Sequence, residues 1–175
     1  MFNQEQVQEI INLALDRLYI VDAYLLEKDA SEPSLVHQFT CHFNKIISEQ
    51  YPDCTYQVDV EYNLDQDEAK TLAINYLYTH PDIKNFVNEA QLQQLHANGY
   101  LSKLINPDFI FHKRGEKEAN ILTIEFKKSS SSRNNQFDKF KLEKMKEDLK
   151  YKHACFIKLS VGQTYSRQHT QLEFI

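Results

Sequence analysis

Apolar residues recur every three or four positions through the first 50 residues, which is the spacing of one buried face of a helix. Over residues 4–27 this repeat predicts a first helix. Ser31 and Pro33 are typical of a helix start, because serine accepts a backbone N–H bond and proline has no N–H to leave unpaired in the first turn. We therefore predict a second helix from there to about Glu49.

Apolar and polar residues alternate over 55–62, which predicts a half-buried strand. Short, strongly apolar runs predict further strands at 108–112, 121–127 and 153–159. A polar turn joins the second strand to the third, which indicates a hairpin. A helix predicted over 137–150 leads to the last strand, and a strand reached through a helix usually pairs in parallel.

Residues 66–104 interrupt the strand pattern. Apolar repeats over 68–79 and 82–98 predict two helices, and we expect a helical insertion that is either a lid or a surface for a protein partner. The 175 residues suit one α/β domain. Its expected order is an extra N-terminal helix, a helix, a three-stranded antiparallel meander interrupted by the insertion, a helix, a parallel strand and a short C-terminal tail.

The composition is that of a folded protein, with 42% hydrophobic residues and few glycines or prolines. No apolar run approaches the length of a membrane span, and the N-terminus lacks the basic and apolar regions of a secretory signal. Cys41, Cys54 and Cys155 form no CxxC pair, which argues against a zinc site or a disulfide framework. These features predict a cytoplasmic protein that makes no membrane contact.

The charge is unevenly distributed. The net charge of −5 argues against a generic nucleic-acid-binding protein. Residues 103–152, however, carry 13 Lys and Arg against 8 Asp and Glu, a net of +5, which leaves −10 for the remainder. Either this segment meets a polyanion, or it is a solvated helix of mixed charge.

Charged residues interrupt the strongly apolar strand ILTIEFKK, where they are costly unless they are paired or bind a metal. Glu125 and Lys127 share one strand face, and the hairpin brings Asp108 beside them. Mg²⁺ prefers carboxylate oxygens, which Asp108 and Glu125 supply together with the backbone carbonyl of Phe126. Lys127 can then orient or deprotonate a water, or stabilise charge on a phosphate. The alternative is a structural ion pair between Glu125 and Lys127, which does not explain Asp108.

Glu32 lies at the N-terminal end of the second predicted helix, on the same face as Val36 and Phe39. An acid on a core-facing stripe is unusual. Either it stabilises the start of its helix, as acids often do there, or it points into the same pocket as Asp108.

The chain resembles the PD-(D/E)XK nuclease superfamily, and in particular a group of small, mostly uncharacterised bacterial members. Pro107-Asp108 and Glu125-Phe126-Lys127 carry the signature. Five stretches that cover most of the chain extend the resemblance: DAYLLEKDASE (22–32), YPD followed by VDVEYN (51–63), PDFIFHKRG (107–115), LTIEFKKS (122–129) and DLKYKHACFI (148–157). Residues 66–104 are longer than this group would suggest.

The resemblance implies a restriction-endonuclease-like core and a deoxyribonuclease, with RNA as the other possible substrate. It implies that Asp108 and Glu125 bind Mg²⁺ or Mn²⁺, that Lys127 is catalytic and that Glu32 joins them. A role in restriction, repair or phage defence would follow, with a homodimer where both strands are cut. The alternative is a catalytically silent interaction module of the same fold, or a subunit of a larger defence or toxin complex.

Further residues are candidates for contact with nucleic acid. Four cations follow the signature and can meet the phosphate backbone: Lys128, Arg133, Lys139 and Lys141. His112 shares a strand face with Asp108 and is a weaker candidate. No pair of the seven histidines has the spacing of metal ligands on a defined face.

Overall fold

The computed structural model describes residues 2–61, 64–65, 68–69, 71–75, 89–98, 100–104 and 106–175. Within these residues the chain is a mixed α/β protein. Its helices are α1 (Gln4–Val21), α2 (Ala23–Glu27), α3 (Glu32–Gln50), α4 (Glu89–Asn98) and α5 (Gln136–Leu149). Its strands are β1 (Gln57–Asp59), β2 (Leu64–Asp65), β3 (Glu68–Ala69), β4 (Thr71–Asn75), β5 (Tyr100–Leu104), β6 (Phe109–His112), β7 (Leu122–Lys128), β8 (His153–Leu159) and β9 (Gln171–Phe174).

The main sheet has five strands in the order β1-β6-β7-β8-β9. β1, β6 and β7 pair antiparallel as a meander, and the crossover through α5 sets β8 parallel to β7. The predicted hairpin, the helix after it and the parallel strand are therefore confirmed. Two further antiparallel pairs lie outside this sheet, β2 with β3 and β4 with β5.

The first helices begin at the residues expected from capping chemistry. Asn3 accepts the N–H of Gln6, whose side chain in turn accepts the N–H of Asn3, and Ser31 accepts the N–H of Ser34 at the start of α3. The helix predicted over 4–27 is divided at Asp22, which ends α1 with a non-helical backbone. A carboxylate oxygen of Asp22 lies 2.6 Å from Nε2 of His42 and so ties this break to α3.

Three predictions are corrected. The strand predicted over 55–62 is shorter, because Glu61 adopts a left-handed backbone with φ of 49° just after β1. The C-terminal tail contains β9, which pairs antiparallel with β8. A helix was predicted over 68–79, but residues of this range form strand β4 instead. β4 pairs antiparallel with β5, which lies nearly thirty residues further along the chain.

A helix at 89–98 agrees with the second repeat predicted in the insertion. Residues 76–88 of the predicted helices, with their break at Pro81, lie outside the described residues. The insertion is therefore partly built of strands, at positions where distant pairing overrides a local apolar repeat.

The main sheet is covered on both faces, as alternation along its strands requires. One face packs against α1 and α3 around five phenylalanines whose ring centroids lie 4.9 to 6.0 Å apart: Phe39, Phe43, Phe109, Phe111 and Phe126. The other face packs against α5, through Ile110 with Met145 and Leu149, and through Leu142 with Phe156. The candidate chemistry lies on this second face.

No helix in the described part of the chain combines the length and the apolar character needed to cross a membrane.

Candidate active site

Asp108 and Glu125 lie beside each other where β6 begins. Phe109 pairs with Ile124, and the same register continued by one residue sets Asp108 opposite Glu125. The backbone N–H of Asp108 donates to Oε1 of Glu125 at 3.4 Å, and Oδ2 of Asp108 accepts the N–H of Phe126 at 2.8 Å. The hairpin thus brings together the two carboxylates that the motif singles out.

Helix α5 runs antiparallel to β7 and meets each of its inward-facing polar residues. Thr123 contacts Met145, with Oγ1 and the sulfur 3.3 Å apart. Two residues along the strand, an oxygen of Glu125 lies 2.5 Å from Nζ of Lys141. Nζ of Lys127 lies 3.1 Å from Oδ2 of Asp138. Glu125 and Lys127 therefore each face an opposite charge on the helix.

Burial strongly affects both carboxyls. Burial is the main cause of a rise in the pKa of Glu125 to about 8, a rise that Lys141 opposes and the neighbouring Asp108 supports. Burial also raises the pKa of Asp108; the Phe126 N–H and Lys141 oppose this rise, and Glu32 adds to it. Near neutral pH the Glu125 carboxyl therefore keeps a proton unless a further cation binds beside it.

The Lys127 side chain is 11% exposed and is held by acids. Burial lowers its pKa, but Asp138 outweighs this effect, with Glu32 and Asp108 adding, so that the pKa is raised above its ordinary value. Lys127 is therefore a protonated cation at neutral pH. This state suits a group that orients water or stabilises negative charge, and it does not suit a general base.

Glu32 reaches the end of the same strand. Its Oε2 accepts the backbone N–H of Lys128 at 3.2 Å, and its charge raises the pKa of Asp108. Both possibilities for this residue thus have support, since it lies in the first turn of α3 and also lines a cavity of about 150 Å³ with Asp108. Glu61 is a third acid in that lining.

Two of the predicted phosphate contacts already have partners. Nζ of Lys128 lies 2.8 Å from a carboxylate oxygen of Asp29 and donates to the carbonyls of Asp29 and Ala30, which closes the turn before α3. Lys139 pairs with Glu173 on β9 at 2.6 Å.

Lys141 is engaged with Glu125, whereas Arg133 is exposed in the loop before α5. Contact of any of the four cations with nucleic acid stays a prediction.

His112 belongs to a separate charge cluster. Its side chain is 4% exposed, and Nε2 lies 2.9 Å from Oδ2 of Asp59 on β1. Arg114 also pairs with Asp59. Burial opposes ionisation of Asp59, but Arg114 and His112 outweigh it and lower the pKa. This geometry favours a structural role for His112 over a phosphate contact.

The residues fit a hard divalent cation that keeps much of its water shell. Four acids (Glu32, Asp108, Glu125 and Asp138) lie near two lysine cations (Lys127 and Lys141). Glu32 raises the pKa of Asp108, while Asp108 and Asp138 raise that of Glu125. At the site itself, this surplus of two carboxyls over lysines favours a bound cation. Among the residues that the structure describes, no three His, Cys, Asp or Glu side chains form a group able to hold a metal by themselves. Water and backbone oxygen would have to complete the shell.

Sequence reasoning missed Asp138 and Glu61. Asp138 lies three residues before Lys141, so the helical repeat alone puts both on one face of α5. Their charges follow the same order along the chain as those of Glu125 and Lys127, acid before lysine, so an antiparallel helix sets each charge against its opposite. This order was the available signal. Glu61 gave no such signal, because its approach to the cavity follows a left-handed backbone turn.

Comparisons with protein-family models, with curated proteins and with solved structures gave no match to this chain. The resemblance to the PD-(D/E)XK superfamily therefore rests on the motifs alone, and so does its implied restriction-endonuclease-like core.

Proposed function

We propose that the protein is a metal-dependent nuclease that hydrolyses phosphodiester bonds, with DNA as its substrate. The observation that carries the proposal is the convergence of Asp108, Glu125 and Lys127 on the sheet face that α5 covers. Two buried carboxylates with raised pKa values next to a protonated lysine are unusual in an apolar strand pair.

Asp108 and Glu125 would hold Mg²⁺ or Mn²⁺, with the carbonyl of Phe126 as a further ligand. When bound, the metal supplies Lewis-acid activation of water and neutralises charge on a phosphate. The hydrogen bond from the Phe126 N–H fixes one oxygen of Asp108, so that its other oxygen is oriented before any ligand arrives. Such a preset carboxylate lowers the entropic cost of binding.

Lys127 would provide positive charge where negative charge builds up on the phosphate. Its amine is held by Asp138 at 3.1 Å, two residues along β7 from the carboxylate that binds metal. Because the strand fixes this separation, the ammonium and the carboxylate keep their relative positions. A charge fixed in advance stabilises a transition state without reorganisation during the reaction.

DNA as the substrate rests on the motif resemblance and on charge. The segment 103–152, with its net charge of +5, contains β6, β7 and α5, and with them Asp108, Glu125 and Lys127. A basic segment attracts a polyanion, and its contribution to binding falls with salt. One site cuts one strand, so a homodimer is the assembly that cuts both.

The ion pairs of β7 with α5 also favour a second candidate, a silent interaction module of the same architecture. Glu125 with Lys141 and Lys127 with Asp138 satisfy each other's charge without a metal. In that case the four residues would only join the helix to the sheet. Buried ion pairs of this kind give little net stability. A purely structural role therefore explains the four charged residues poorly.

Cleavage assays decide between these candidates. Wild-type protein and Lys127→Ala would be incubated with Mg²⁺ or Mn²⁺ and with plasmid, linear duplex, single-stranded DNA and RNA. We expect metal-dependent cleavage of a DNA substrate by the wild type and a loss of about 100-fold or more in Lys127→Ala.

Circular dichroism would establish that Lys127→Ala is folded. Cleavage by wild type alone supports the nuclease and identifies its substrate. Equal cleavage by both proteins contradicts the role of Lys127, and absence of cleavage with absence of Mn²⁺ binding favours the interaction module.

A further inference from the structure

Lys141 lies in the position that a cation bound by Glu125 would take. Its Nζ is 2.5 Å from Oε2 of Glu125, and the two side chains are 11% and 3% exposed. Nζ also donates to the backbone carbonyl of Asn106 at 3.4 Å, two residues before Asp108. The ammonium therefore lies between one candidate metal ligand and the segment that carries the other.

The charge of Lys141 acts on both carboxyls of the site. It opposes the rise in pKa of Glu125 and also that of Asp108, as a cation bound between them would. The other nearby lysine is not in this position, because the amine of Lys127 is directed at Asp138. Lys141 alone of the two supplies positive charge directly to Glu125.

A metal ion and this ammonium cannot both use the same oxygen of Glu125. They also repel each other, since like charges a few ångströms apart in a buried site interact strongly. We infer that Lys141 is a placeholder cation, which occupies the metal's position beside Glu125 in the metal-free protein and must move away before Mg²⁺ or Mn²⁺ binds there. This inference rests on the proposed function, because it concerns the affinity of the same metal site.

The displaced side chain has a chemical use. A lysine has a flexible four-carbon stem, so its ammonium can turn away from Glu125 without movement of α5. Released beside the carboxylates, it becomes available to a phosphate oxygen. The phosphate contact predicted for Lys141 would then follow metal binding, and metal and substrate would each favour the other's binding.

The test is the affinity of the protein for Mn²⁺ alone, measured by isothermal titration calorimetry without substrate. In Lys141→Gln the competing charge is absent, and we expect Mn²⁺ to bind about tenfold more tightly than to wild type. Lys141→Met serves the same purpose with an apolar stem if the glutamine variant does not fold. Lys141→Arg keeps the charge and should bind Mn²⁺ no more tightly than wild type.

Lys144→Gln is the matched control. Lys144 is a buried lysine one turn along α5, but its ammonium pairs with Glu147. Its removal changes the net charge equally without freeing Glu125, and we expect the Mn²⁺ affinity to change by less than about twofold.

The outcomes separate the two claims. Tighter binding in Lys141→Gln alone supports the placeholder. If wild type binds Mn²⁺ and Lys141→Gln binds it equally or more weakly, the placeholder role of Lys141 is wrong. The proposed nuclease function is not affected by that result. If neither wild type nor Lys141→Gln binds Mn²⁺, the metal site itself is wrong and both claims fall.

Discussion

Nζ of Lys127 lies 3.1 Å from Oδ2 of Asp138, so a residue of α5 holds the lysine of the Glu-x-Lys strand. The pair connects the strand that carries the candidate chemistry with the helix that covers it. Asp138 thereby fixes the direction of the Lys127 amine. In the proposed reaction Asp138 would be a positioning residue, because it would act only through Lys127.

Replacing Asp138 by Asn should therefore impair cleavage through Lys127. We expect the cleavage rate of plasmid DNA to fall about tenfold, because the lysine loses its partner and its fixed orientation. Adding Asp138→Asn to Lys127→Ala should cause little further loss, since both changes remove the same function.

The exposed acid Glu143 on the same helix provides the control, and Glu143→Gln should leave the rate unchanged. Independent, additive losses in the double variant would show that Asp138 does not act through Lys127.

The raised pKa of Glu125 predicts how stability depends on pH in the metal-free protein. In the unfolded chain this group titrates near 4.5, and in the folded chain near 8. Between these values the folded chain holds a proton that the unfolded chain releases, so the free energy of unfolding falls as pH rises through the window. The fall should amount to about 1–4 kcal/mol.

Urea denaturation at several pH values, with EDTA present, measures this effect. Glu125→Gln has no proton to lose and should show a flatter profile over the same range. Parallel profiles for the two proteins would mean that Glu125 titrates normally in the folded state.

His112 should matter for stability and little for cleavage, because its ring pairs with Asp59 on the neighbouring strand at 2.9 Å. We expect His112→Ala to lower the free energy of unfolding by about 1–3 kcal/mol, as a buried polar partner is lost. Cleavage by the remaining folded protein should change by about twofold or less. Loss of cleavage with an unchanged free energy of unfolding would instead indicate that His112 contacts a phosphate.

Of the four cations predicted to contact the phosphate backbone, we expect Arg133 to contribute measurably to nucleic-acid binding. It is exposed in the loop before α5. Arg133→Ala should weaken binding to a DNA duplex and reduce the slope of log affinity against log salt by about one, as expected for the loss of one phosphate contact. Fluorescence anisotropy over a range of salt concentrations measures the slope.

Lys128→Ala is the informative comparison. Its amine closes the turn before α3, so the variant should be less stable by about 1 kcal/mol with an unchanged salt slope. The opposite pattern, a changed slope for Lys128 and none for Arg133, would contradict this division of roles.

The parts of the fold that the sequence predicted are those with short, strongly apolar strand runs and a short polar connection between them. The strands on either side of the KRGEKEAN turn are strongly patterned, and their pairing leaves little freedom for Asp108 relative to Glu125. The covering helix and the parallel strand followed from the same pattern, since a crossover must return to the sheet.

The remaining parts depend on distant partners. β4 and β9 are short, and each is a strand because another segment supplies its ladder, β5 in one case and β8 in the other. In the site, Asp138 was missed because the rotation of α5 over the sheet is set by packing of Leu142 and Met145. A single sequence indicates which residues share a helix face, but not which strand residues they meet.

The most direct test of the central claim is cleavage of supercoiled plasmid in Mg²⁺ by wild type and by Glu125→Gln, purified identically. The account predicts nicking by wild type that EDTA abolishes, and a loss of about 100-fold or more in Glu125→Gln, because the amide keeps the shape of the side chain but not its charge for the metal. Circular dichroism of the variant would establish that its fold is retained. Nicking at the same rate by both proteins would contradict a metal site at Glu125 and with it the proposed function.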